Sequence, residues 1–109
     1  MTAISDTLAR LEATIRARRM ADPESSYVAK LSAKGRAKIA QKVGEEAVET
    51  VIAAMSNDKE GTASEAADLL FHLAILLADM NLSLSDVCLE LDRREGVSGI
   101  AEKASRPQE

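Results

Sequence analysis

Aromatic side chains are almost missing from this 109-residue chain: it has no Trp, and Tyr27 and Phe71 are its single Tyr and Phe. Its apolar content is Ala, Leu, Val, Ile and Met, which suits packed helices better than sheets. One cysteine, Cys88, excludes an intrachain disulfide. One histidine, His72, excludes Cys/His zinc frameworks and any triad built with a second His. No strand pattern of useful length and no internal repeat occurs. The opening MTAISDTLARLEATI carries acids and lacks an unbroken apolar run, so a signal peptide is not expected. The longest apolar stretch, near Leu69–Ala78, is broken by His72 and is short for a bilayer span. The net charge of −4 argues against a general nucleic-acid or membrane-surface role, so neither partner is expected. A reduced, cytoplasmic setting is the expectation.

What is present is helical periodicity. Ile4, Leu8, Leu11 and Ile15 predict a first amphipathic helix to about Arg19, broken by Ala21-Asp22-Pro23. Ser25 to Ala33 fits a short second helix, with Lys34-Gly35-Arg36 as a bend or cap. A long third helix is expected from about Ala37 to Met55, and Ser56-Asn57-Asp58-Lys59 reads as a connection. A fourth helix runs to about Met80. Ser83-Leu84-Ser85-Asp86 fits a capping box for a fifth helix ending near Gly96. The fold class is thus all-α, with about five helices forming a four-helix-bundle-like core. Residues 1–96 form one domain, and the tail 97–109 is polar and expected to be partly disordered.

At about 100° per residue, Lys38, Lys42, Glu45 and Glu49 share roughly a quarter of the third helix, with Glu46 at its edge. Ile39, Val43, Ala47, Val48, Val51 and Met55 cover most of the rest. On the fourth helix Glu65, Asp68, His72 and Asp79 form one stripe in an apolar surround. Two long helices that are apolar over most of their girth need more neighbours than this chain supplies. A homodimer with a shared helical core is therefore expected.

Glu45-Glu46-x-x-Glu49 and Glu65-x-x-Asp68 each place carboxylates one helical turn apart, where their oxygens can converge. If the two helices pack antiparallel, the pairs face each other and repel unless a cation lies between them. Hard oxygen ligands favour Mg²⁺, with Mn²⁺ as a substitute. A plainer alternative is open: Thr62-Ala63-Ser64-Glu65 also fits a capping box, which would commit Glu65 to a helix start and make Asp68 a first-turn acid. His72, one turn after Asp68, has a spacing that permits a ligand role. A lone His in an apolar helix more often bonds a nearby polar group. Asp79 is expected to pair with a basic residue or to lie near the exposed helix end.

Lys30, Lys34, Arg36, Lys38 and Lys42 precede the acids. Read as surface support, the Lys–Glu spacing adds only tenths of a kcal/mol per pair. Read as function, these cations hold phosphate oxygens beside a metal, the combination that phosphoryl transfer requires. No G-x-x-x-x-G-K-[ST] string is present, so this is not a P-loop. Arg93-Arg94 is a candidate for a further phosphate, or complements the end of the fifth helix.

These residues resemble a known pattern. The E-E-x-x-E … E-x-x-D arrangement resembles the all-α nucleoside triphosphate pyrophosphohydrolase superfamily. Within it, Ser26-Tyr27-Val28-Ala29-Lys30-Leu31 with Lys34-Gly35 is similar to a segment of the phosphoribosyl-ATP pyrophosphohydrolases. Gln41-Lys42-Val43-Gly44-Glu45-Glu46-Ala47-x-Glu49 and Glu65-Ala66-Ala67-Asp68-Leu69-Leu70-Phe71-His72-Leu73 are similar to that family's two metal-site helices. The likeness covers Ser26 to about Arg94. It implies Mg²⁺-dependent hydrolysis of phosphoribosyl-ATP to phosphoribosyl-AMP and pyrophosphate, the second step of histidine biosynthesis, by a cytoplasmic helical dimer. It implies metal ligation by Glu46, Glu49, Glu65 and Asp68, with Glu45 binding a second metal or orienting water. Glu45, Glu46 and Glu49 are then the catalytic acids. Lys30, Lys34, Arg36, Lys38, Lys42, His72, Arg93 and Arg94 are the candidates for binding the nucleotide. Cleavage is expected at the α–β anhydride. A related enzyme that sanitises free nucleoside triphosphates, and a non-catalytic helical dimerisation module, are the competing readings. Some relatives fuse a phosphoribosyl-AMP cyclohydrolase domain, and this chain looks like the stand-alone form.

Overall fold

A computed structural model describes residues 3–96 and 99–107, and the described residues are helical with no strand. The helices are α1 (Ile4–Arg18), α2 (Tyr27–Lys34), α3 (Arg36–Met55), α4 (Lys59–Asp79), α5 (Leu84–Arg94) and α6 (Gly99–Ser105). The first five are those expected. The sixth is short and lies in the stretch read as a polar tail; Val97, Ser98, Gln108 and Glu109 of that tail lie outside the described residues.

Local chemistry sets the boundaries. Ser25 and Ser26 both donate their amides to the Asp22 carbonyl, so α2 begins at Tyr27, two residues later than the Ser25 start expected from the sequence. Ser26 then caps α2, its hydroxyl accepting from the Ala29 amide at 3.2 Å. Gly35, at φ +96 and ψ 169, ends α2 and starts α3 in a backbone region that essentially only glycine adopts. Ser83 and Asp86 form the reciprocal capping box expected for α5. Hydrogen bonding to Ser83, first with its backbone and then with its side chain, holds the Asp86 carboxyl below its usual value.

The start of α4 differs from one of the sequence alternatives. Its N-cap is Asp58, whose side chain accepts from the Gly61 amide at 2.9 Å. Thr62 is already helical and donates its hydroxyl to the Asp58 carbonyl. The helix begins early because Asp58 is the stronger local cap, and the connection from α3 is correspondingly short. Glu65 is therefore an interior residue of α4 with no capping duty.

That short connection turns α3 back along α4, and this hairpin is the principal helix contact. α1 and α2 pack across it, and α5 lies against α1. The core contains Ile15 of α1, Val28 and Leu31 of α2, Ile39 of α3, and Ala74, Ile75 and Ala78 of α4. It therefore sits where the start of α3 meets the end of α4. Arginines close this end. Arg19 and Arg36 both reach Asp79, and Arg19 donates to the Ala78 carbonyl at 2.9 Å. The other end of the hairpin is bare: Val48, Val51, Ile52, Met55 and Leu70 are exposed. α4 is also long and apolar enough, by length and composition, to cross a membrane. The same composition belongs to a helix that packs on three others, as α4 does here.

Candidate active site

The hairpin decides which carboxylates meet. Glu46 of α3 and Glu65 and Asp68 of α4 each bring an oxygen to within 4.8 Å of the others. Glu46 is the edge residue of its helix, and its side chain is only 13% exposed. Its neighbour Glu45, 100° around the helix, is 46% exposed and turns to the other side. Glu49 is exposed one turn from Glu46, and its charge reaches Glu65. The set expected from spacing is thus brought together as three converging groups, with Glu49 at their margin.

The cluster is electrostatically frustrated. Loss of water around Glu65 pushes its carboxyl above the usual value. A hydrogen bond with Glu46 and the charges of Glu46, Glu49 and Asp68 push in the same direction. A hydrogen bond between two carboxyl groups requires a proton on one of them. A divalent cation among the three oxygens would remove that requirement, so the donor set suits a hard metal ion such as Mg²⁺.

Beside the acids lies a groove between α2 and α3, with a volume of about 280 Å³. It is lined by Tyr27, Lys30, Leu31, Lys34, Lys38, Lys42 and Glu45. Four of the cations singled out in the sequence therefore share one concave surface. Lys42 joins the groove to the acids, its ammonium lying 3.7 Å from Glu46 and 3.8 Å from Glu45. Glu45 also accepts from the Gln41 amide at 2.9 Å. The remaining cations go elsewhere. Arg36 donates to Asp79 at 2.8 Å, at the closed end of the hairpin. Arg93 and Arg94 both bind Glu90 on α5 and do not line the groove.

His72 is buried and both its ring nitrogens are engaged. Nδ1 lies 2.7 Å from the Asp68 carbonyl, which can only accept, so Nδ1 carries the proton. Nε2 then accepts from the Tyr27 hydroxyl at 2.8 Å. The ring serves to tie α2 to the carboxylate helix and offers no free nitrogen to a ligand. Tyr27 lines the groove and was not among the residues expected to bind nucleotide. The sequence signal for it was its rarity.

A helical hairpin that sets carboxylates of two helices beside a lysine groove defines the class of all-α nucleotide pyrophosphohydrolases. Within that class, residues 8–95 match the family described as phosphoribosyl-ATP pyrophosphohydrolase, and the chain belongs to that family. Among similar proteins, one from Rhizorhabdus wittichii is 65% identical over 105 residues, covering 96% of this chain and 99% of its own. One from Novosphingobium aromaticivorans is 63% identical over 101 residues, covering 93% and 94%. One from Zymomonas mobilis is 63% identical over 103 residues, covering 94% and 96%. All three are named phosphoribosyl-ATP pyrophosphatase.

Proposed function

We propose that this protein hydrolyses phosphoribosyl-ATP to phosphoribosyl-AMP and pyrophosphate in histidine biosynthesis, cutting the α–β anhydride with Mg²⁺, or Mn²⁺ in its place. The observation that carries this reading is the junction at Lys42, where the carboxylate cluster and the lysine groove meet. Family membership supports the substrate.

Glu46, Glu65 and Asp68 would hold the metal, with Glu49 one turn away to complete the set. Bound Mg²⁺ supplies charge neutralisation on the phosphates and a water acidic enough to act as a nucleophile. The chain's own groups do the rest. Lys30, Lys34, Lys38 and Lys42 hold phosphate oxygens along the groove and fix the orientation of the anhydride. Glu45, half-exposed in the lining of the groove, would accept a proton from the attacking water or bind a second metal. The enzyme works as a homodimer in the cytoplasm, the second copy covering the bare end of the hairpin.

The test is release of pyrophosphate from phosphoribosyl-ATP, with and without Mg²⁺, beside a panel of nucleoside triphosphates. Metal-dependent release from phosphoribosyl-ATP in preference to the panel is the expected result. Equal turnover of the free nucleotides would replace the substrate assignment. Full activity of Glu49→Gln would remove Glu49 from the metal set.

A further inference from the structure

The chain's two aromatic residues are stacked on each other. Tyr27 and Phe71 have ring centroids 6.1 Å apart and an interplanar angle of 26°. His72 meets both edge-on, at 5.7 and 5.3 Å, and holds the Tyr27 hydroxyl at 2.8 Å. The Tyr27 ring is thus fixed through Phe71 and at its hydroxyl. The residue as a whole is nonetheless 49% exposed. Its free surface borders two spaces at once: the lysine groove, and a larger cavity of about 650 Å³ lined by Pro23, Glu24, Ser25, Ser26, Tyr27 and Lys30. Tyr27 and Lys30 are shared by both linings, so the two spaces adjoin across these residues. The larger one holds a single cation, where the groove has four.

We propose that this second cavity is the base subsite, and that a purine stacks on the Tyr27 ring while its phosphates run along the lysine groove toward Glu46, Glu65 and Asp68. This rests on the nucleotide reading above and extends it to the part of the ligand that does not react. Phosphoribosyl-ATP joins its triphosphate through a ribose to a planar base, and the adjoining spaces have that same order, a groove of four lysines followed by a wider space bordered by Tyr27. A pre-oriented aromatic face offers stacking at little entropic cost, because Tyr27 is already immobilised. Glu24 and Ser25 also line this cavity, and the Ser25 hydroxyl is bonded to the Asp22 carbonyl.

Tyr27 is the only tyrosine and the chain has no tryptophan, so its ring signals are unambiguous. The experiment follows them by NMR during titration with the α,β-methylene analogue of ATP and, separately, with tripolyphosphate, which has no base, both with Mg²⁺. The expected result is an upfield shift of the Tyr27 ring protons with the nucleotide and not with tripolyphosphate. Tyr27→Leu should weaken the nucleotide about tenfold, a typical loss for one stacked base. It should weaken tripolyphosphate much less than the nucleotide, and Tyr27→Phe, which keeps the ring, should retain the preference for the nucleotide. Nucleotide binding that leaves the ring signals unmoved would overturn the subsite. So would equal weakening of both ligands in Tyr27→Phe, which would make the residue a strut through His72. Failure of the wild-type protein to bind either ligand would instead remove the nucleotide reading on which the subsite depends.

Discussion

At the scale of single residues, the site is a contest between repulsion and use. Glu65 sits against Glu46 and Asp68, and loss of water, then the hydrogen bond with Glu46 and the neighbouring carboxylate charges, drive its carboxyl upward. Glu65→Gln should therefore leave the metal-free fold at least as stable, since it removes a crowded charge. It should also lower turnover by about 100-fold or more, since even outer-shell changes at metal sites cost up to that much. Thermal melts without metal and pyrophosphate release with Mg²⁺ check the two halves. Glu90 is the opposite case. Hydrogen bonds from Arg93 and then Arg94 pull its carboxyl down to about 2. A depressed carboxyl supports the folded state above its ordinary value of 4.5, and that support is lost as pH falls through about 2. Carboxylate NMR should give a midpoint near that value, rising toward the ordinary one in Arg93→Ala.

At the scale of elements, the groove exists because α2 and α3 meet at a set angle. Gly35 makes that angle, with a positive φ and open space around its Cα. Alanine there would meet no neighbour, so its cost is purely in the backbone: Gly35→Ala should lose about 1–3 kcal/mol in urea unfolding. If α2 tilts to relieve the strain, the lysines separate and KM should rise with it. The element boundaries were largely legible in sequence, because caps and breakers are local: Gly35 and the Ser83–Asp86 box lie where the sequence places them, whereas α2 starts at Tyr27 behind a Ser26 cap and not at Ser25. The start of α4 was ambiguous because Asp58 and Thr62 are both good caps in one short stretch. The bond from the Gly61 amide to the Asp58 carboxylate selects between them.

At the scale of the whole molecule, the fold is one-ended. Its core occupies the end where α1 and α2 cross the hairpin, while Met55 at the other end is 82% exposed. The radius of gyration is 15.9 Å, larger than the about 13 Å of a compact chain of similar length. Apolar side chains on a protruding hairpin are the usual surface of an obligate partner. Sedimentation should give twice the chain mass, and Val51→Asp should shift the population to single chains. The melting temperature of the wild type should rise with protein concentration, as linkage to association requires.

The helical class, the one-turn spacing of each carboxylate pair and the lysines preceding them all follow from the sequence alone. Each is a property of residues within a turn or two of one another. Pairings across the fold are of another kind. That Arg36 goes to Asp79, that Glu46 rather than Glu45 meets the acids of α4, and that His72 is tied to Tyr27 depend on which helix faces come together. Helical periodicity places a side chain to within a broad arc, but 100° of rotation separates Glu45 in the groove from Glu46 in the cluster. Packing of α3 on α4 resolves that arc, and with it which acids converge.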